Sequence, residues 1–174
     1  RSHAGILVSG NVIRNAGNSA TVPIGPDAGD PITFDAVTTG GIQVFQCDGA
    51  TISGNAFLDI GERAICVAGS GVVSVTGNTF RGMRAVSGSF PGGSGIFVPH
   101  GNLGNVDLLT VTDNIFDGLD GSAVTSSGNL YAVGSFTFSG NRVNSWNSTR
   151  AAASARVYPG IFIIRATTNA ITGN

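Results

Sequence analysis

Apolar and β-branched residues alternate with Ser, Thr and other polar residues along much of this chain, and one recurring phrase punctuates the alternation. The phrase is an apolar residue, a hydroxyl, Gly, Asn and, two places on, another apolar residue. It stands as V-S-G-N-V-I at 8–13, I-S-G-N-A-F from 52, V-T-G-N-T-F from 75, V-T-D-N-I-F from 111, F-S-G-N-R-V from 138 and I-T-G-N from 171. Its asparagines, Asn11, Asn55, Asn78, Asn114, Asn141 and Asn174, are spaced by 44, 23, 36, 27 and 33 residues. A second phrase alternates with it: a small residue, a β-branched one, any residue and usually another β-branched one. Its copies are G-I-Q-V at 41–44, A-I-C-V from 64, G-I-F-V from 95, A-V-T-S from 123 and G-I-F-I from 160. Repetition at an irregular period, with strand-like alternation in both phrases, predicts stacked units that each hold at least two strands.

Period-two alternation assigns inward columns. Ile42, Ile65, Ile96, Val124 and Ile161 share one face, with Val44, Val67, Val98, Ser126 and Ile163 beside them; Val8, Ile52, Val75, Val111, Phe138 and Ile171 make another, and Ile13, Phe57, Phe80, Phe116 and Val143 a third. The constant Asn tolerates left-handed backbone angles and so suits a sharp bend between strands. Its amide is also able to bond backbone groups of the coils above and below. The preceding Gly, or Asp113 in one copy, relieves crowding at the bend.

On the I-S-G-N-A-F and V-T-G-N-T-F turns and the G-I-x-V strands between them, nearly the whole chain resembles the right-handed parallel β-helix repeats of the pectin-lyase-like superfamily. The resemblance implies an all-β fold: one domain over residues 1–174, a right-handed parallel β-helix (solenoid) of five to six coils with an asparagine ladder. Leucine-rich repeats fit less well, since they need many leucines at a steady period and this chain has seven; the G-G-x-G-x-D of calcium-binding nonapeptides is absent. No capping helix precedes the first copy and the chain stops in mid-turn at A-I-T-G-N, so the expectation is a piece of a longer helix, or ends covered by neighbouring chains.

Composition agrees. Gly, Ser, Thr, Asn and β-branched residues dominate, and charged residues make up 11%. All nine basic residues are arginines, and a net charge of −1 without a basic run gives no footprint for nucleic acid. No apolar run is long enough for a membrane span. Cys47 and Cys66 lack metal-site spacing and lie too far apart in register for a disulfide, so both read as small strand or core residues.

Links between the asparagine phrase and the next G-I-x-V strand are long at 14–40, 81–94 and 144–159 and short at 58–63 and 117–122. In the resembled family the exterior of the G-I-x-V sheet and its flanking loops hold polysaccharide. Outward positions there are Gln43, Cys66, Phe97, Thr125 and Phe162, then Phe45, Ala68, Pro99, Ser127 and Ile164, none of them acidic. Phe45, Phe97 and Phe162, with Gln43 and Gln46, are the candidate substrate-binding residues, through aromatic stacking on sugar faces or packing beneath a loop or partner. His100, Arg165 and Asp48, just past the strands, are the catalytic candidates, for acid–base chemistry. Asp27, Asp30 and Asp35 offer a calcium option without a motif, and no cofactor or other metal is expected; Asp117 and Asp120 read as turn residues.

The resemblance therefore implies an extracellular, cell-surface or virion-borne module that interacts with polysaccharide, of the kind found in lyases, glycosidases, epimerases and phage tailspikes. Whether it is catalytic stays open, with homo-oligomerisation or further coils of a parent chain as the other expected contacts. The alternative is a non-catalytic structural or adhesin stalk. A third option is ice binding, through outward hydroxyl pairs Thr51 and Ser53, Ser74 and Thr76, Thr110 and Thr112, Thr137 and Ser139.

Overall fold

The computed structural model describes residues 5–16, 41–85, 93–99, 105–126, 133–146, 161–162 and 166–174. Its elements are all strands, arranged in three parallel sheets. Sheet I takes β1 (Ile6–Ser9), β4 (Gly49–Ser53), β7 (Val72–Thr76), β10 (Val106–Thr112), β13 (Val133–Ser139) and β16 (Ala166–Thr172). Sheet II takes β2 (Val12–Arg14), β5 (Ala56–Leu58), β8 (Thr79–Met83), β11 (Ile115–Leu119) and β14 (Arg142–Trp146). Sheet III takes β3 (Ile42–Phe45), β6 (Arg63–Ala68), β9 (Ser94–Val98), β12 (Val124–Ser126) and β15 (Ile161–Phe162). Each strand pairs with the strand three further along the chain, so three consecutive strands make one coil of a solenoid-like stack. Among the described residues no helix is long and apolar enough to cross a membrane.

The core follows the inward columns. Ile52, Val75, Val111 and Phe138 in sheet I, Phe57, Phe80 and Phe116 in sheet II, and Ile65, Ile96 and Val124 in sheet III are fully buried. Register pairs Phe57 with Phe80 and Phe80 with Phe116, and their rings stack at 4.9 and 4.6 Å with interplanar angles of 3° and 6°. Each such contact adds about 0.5–1.5 kcal/mol beyond the area buried. The small residue of the second phrase also has a cause. A Cβ on Gly95 would come within 2.7 Å of the Phe116 ring, so this position points into the core beside Ile96 and leaves no room for a larger side chain.

The corner between sheets I and II corrects one expectation. The left-handed residue is the one before the asparagine: Gly10, Gly54, Gly77, Asp113, Gly140 and Gly173 have φ of 57–67°. The asparagine instead makes the hydrogen bonds that the bend interrupts. The Asn78 Oδ1 accepts from the backbone N–H of Asn55 at 2.9 Å and from its Nδ2 at 3.0 Å, while Asn78 Nδ2 donates to the carbonyls of Ile52 and Thr76 and to Asn114 Oδ1 at 2.9–3.1 Å. The same bonds join Asn11 to Asn55, Asn114 to Asn141 and Asn141 to Asn174. Asn55, Asn78, Asn114 and Asn141 are buried.

Strand boundaries differ from the expected loops. Arg14, residues 81–83 and residues 144–146, all assigned above to long links, close strands of sheet II. In the first four coils the reason is a second left-handed position four residues past the asparagine: Asn15, Asp59, Gly82 and Gly118 have φ of 53–71°. The bend there shifts the alternation, so Met83 and Leu119 turn back into the core. Asp117, read above as a turn residue, is an outward strand residue of β11.

These bonds set a denaturation series. Asn78→Ala leaves the Asn55 N–H and the Ile52 carbonyl buried without their partner and is expected to cost about 3–5 kcal/mol. Thr110→Ala, outward on sheet I, should stay within about 0.5 kcal/mol. Asp113→Gly, which removes the one non-Gly left-handed residue of this corner, should gain about 0.5–1 kcal/mol. Urea unfolding followed by circular dichroism ranks the three.

Candidate functional site

The exterior of sheet III, where the resemblance places substrate, is largely sealed. Its register sets Gln43 beside Cys66, Cys66 beside Phe97, and Phe97 beside Thr125. Phe97, Cys66 and Thr125 are buried although they face away from the core. Phe97 is 1% exposed, so its ring is not a platform for a sugar in this structure. It packs instead under Arg63, whose guanidinium carbon lies 4.2 Å from the ring centroid. A desolvated cation–π contact of this kind is worth on the order of 2 kcal/mol. Arg63 is itself buried, and burial lowers its basicity while the neighbouring Glu62 opposes that shift. Phe45 is half-buried against Cys66 and Phe97.

Gln43, Gln46 and Asp48 are exposed, and Gln46 is a turn residue with φ of 50°. Phe162 is paired in register with Thr125. His100, Arg165 and Ile163, like Asp27, Asp30, Asp35 and most of the three long links, lie outside the described residues. Among the described residues no three His, Cys, Asp or Glu side chains come together as a metal-binding group. Asp120 is buried, and its carboxylate accepts the Ala85 N–H at 3.1 Å, a structural bond rather than a turn-tip position.

Both cysteines are free, as their register requires, and both are buried. Cys47 Sγ donates to Ser70 Oγ at 3.4 Å. Burial pushes the Cys66 thiol up to about 12, against a smaller opposing pull from Arg63. A group held protonated in this way is no nucleophile near neutrality.

The outer face of sheet I is different in kind. Thr51, Ser74, Thr110 and Thr137 form one in-register row, and Ser53, Thr76, Thr112, Ser139 and Thr172 another. Thr112 Oγ1 donates to Thr76 Oγ1 at 3.1 Å, and Thr168 Oγ1 to Ser135 Oγ at 2.9 Å. These hydroxyls are exposed or half-buried.

Sheet II carries the feature that sequence reasoning missed. A groove of about 490 Å³ runs over its outer face, lined by Arg14, Leu58, Asp59, Arg81 and Asp117, with Gly82 and Gly118 as further lining residues. The lining comes from four successive strands of the sheet, β2, β5, β8 and β11, in which Arg14 pairs with Leu58, Leu58 with Arg81, and Arg81 with Asp117. Arg81 Nε lies 3.9 Å from Asp117, and Arg84 lies 3.5 Å from Asp59. Both pairs are mostly solvent-exposed and contribute at most about 1 kcal/mol each. The signal was present in the sequence. Counting three and four places from each of the first five asparagines gives Arg14, Leu58, Arg81, Asp117 and Asn144, then Asn15, Asp59, Gly82, Gly118 and Ser145.

Comparison of the chain with protein-family models, with curated proteins and with solved structures finds no match.

Thiol chemistry tests the sealed face. Native protein near pH 8 should resist a thiol reagent, and both cysteines should react once it is unfolded in urea. The raised thiol pKa also fixes a sign: Cys66 contributes stability in full below pH 9.0 and loses it as pH rises towards about 12. Cys66→Ala should flatten that alkaline decline.

Proposed function

We propose that the three parallel sheets form a right-handed parallel β-helix of the pectin-lyase-like kind, five to six coils long with the asparagine column as its ladder, and that this module binds polysaccharide on its side. The observation that carries the binding is the groove on sheet II, open to solvent and lined from four successive strands. A surface built by repetition presents side chains at one coil rise after another, about 4.8 Å apart, and suits an extended polymer laid along the stack. Exposed arginine and carboxylate side chains supply both donors and acceptors for sugar hydroxyls. The module acts outside the cell, at a cell surface or on a virion, where such polymers are found. Binding, rather than turnover, is what the groove supports.

The buried native cysteines make this testable without disturbing the core. Leu58→Cys places an accessible thiol in the groove, and Thr110→Cys places one on sheet I. On a glycan array the unlabelled proteins should bind. A bulky maleimide at position 58 should abolish binding, and the same label at position 110 should leave it intact. A wild-type chain that binds no glycan overturns the reading.

The hydroxyl rows of sheet I favour a second reading, ice binding, because they repeat an uncharged donor–acceptor pattern in register. It predicts thermal hysteresis, lost in Thr110→Lys. Crystals that grow unshaped at the melting point exclude it.

A further inference from the structure

From the sheet II groove we infer a specific anion register: Arg14 and Arg81 each take one carboxylate or sulfate group of a glycan strand that carries its acid groups on alternate units. This rests on the polysaccharide reading and names the ligand chemistry of that groove, on a different sheet from the one where the family resemblance places substrate.

Three observations carry it. First, charge is concentrated here in a chain that has little of it. Nine basic and ten acidic residues are spread over 174, yet Arg14, Arg81, Arg84, Asp59 and Asp117 meet on this face. The groove lining itself holds two arginines and two carboxylates, and Arg84 stands beside it against Asp59, so cations gather on this face in a chain of net charge −1.

Second, the arginines are available. Arg14 is exposed and makes no ion pair with a described residue. Arg81 is 73% exposed, and its contact with Asp117, at 3.9 Å, is at the limit of an ion pair. A ligand anion that replaces Asp117 therefore displaces a weak partner. Arg offers a planar fork that matches a carboxylate or sulfate with two parallel hydrogen bonds.

Third, the spacing is set by the fold. Arg14 pairs in register with Leu58 and Leu58 with Arg81, so the two arginines stand two coil rises apart, about 9.6 Å. Leu58, half-buried between them, offers an apolar contact for the C–H face of the intervening unit. Asp117 and Asn144 continue the same column with hydrogen-bonding groups for sugar hydroxyls. The order along the stack is cation, apolar, cation, acceptor, amide.

The test is titration calorimetry of the whole chain with four soluble polymers: an alternating uronate copolymer, a sulfated polymer of matched charge, a polymer with a uronate on every unit, and a neutral glucan. The alternating uronate or the sulfated polymer should bind tightest and weaken with salt, and the preferred one identifies the anion. Arg14→Gln and Arg81→Gln should each lower that affinity about tenfold, the loss expected of one charge-assisted hydrogen-bonding group. Arg142→Gln, exposed on the neighbouring column of sheet II, should change it less than about twofold. Melting curves check that each variant is folded. Unchanged affinity in both arginine variants, or equal affinity for the neutral glucan, overturns the inference. If glycans bind but the arginines do not matter, polysaccharide binding survives and the anion register fails. If no polymer binds, polysaccharide binding fails with it.

Discussion

The arrangement depends on how the backbone N–H at the corner between sheets I and II is satisfied. Within each sheet the parallel ladder pairs the amides of neighbouring strands, and immediately before the corner the left-handed residue still donates to the coil beyond, as Gly54 does to Thr76 and Gly77 to Thr112. Immediately after it, Thr79 donates to Asn55 and Ile115 to Asn78. Only the asparagine N–H has no carbonyl in line, and the side-chain oxygen of the next asparagine takes its place. A buried amide without a partner would cost about 1–3 kcal/mol in every coil. That recurrent cost explains why Asn persists while its neighbours vary.

The same corner fixes the register of the core. Because Asn55, Asn78 and Asn114 are bonded face to face, the residues two places on must stack as well, and Phe57, Phe80 and Phe116 do so with nearly parallel rings. Coils of different length, from 23 to 44 residues between asparagines, are accommodated because the variation is confined to links that leave this register unchanged. Length variation costs little when it falls in surface connections.

This division explains what was legible in the sequence. The inward columns could be read because burial repeats an apolar residue at period two, and the asparagines because hydrogen bonding repeats an amide. The ends of the sheet II strands could not, because left-handed Gly82 and Gly118 interrupt the alternation and make residues past them resemble loop. Nor could the state of sheet III. Alternation places Phe97 and Cys66 on the outside correctly, but it says which side of a strand a residue occupies and nothing about what lies above it. The buried Arg63 over Phe97 shows the difference, since an arginine beside a strand reads in sequence as an exposed charge.

Constraint and freedom alternate at single-residue resolution along sheet II. Two places past each asparagine the side chain must be large and apolar, as the phenylalanine stack requires. In the first four coils the backbone four places past it is left-handed, and the position is Asn, Asp or Gly. The third place faces outward between these two and is held by neither demand. It is occupied in turn by Arg14, Leu58, Arg81, Asp117 and Asn144. The fold thus leaves this position open to variation while fixing its spacing to the coil rise. The left-handed neighbours, side-chain-free at Gly82 and Gly118, keep the space beside that column clear as a groove.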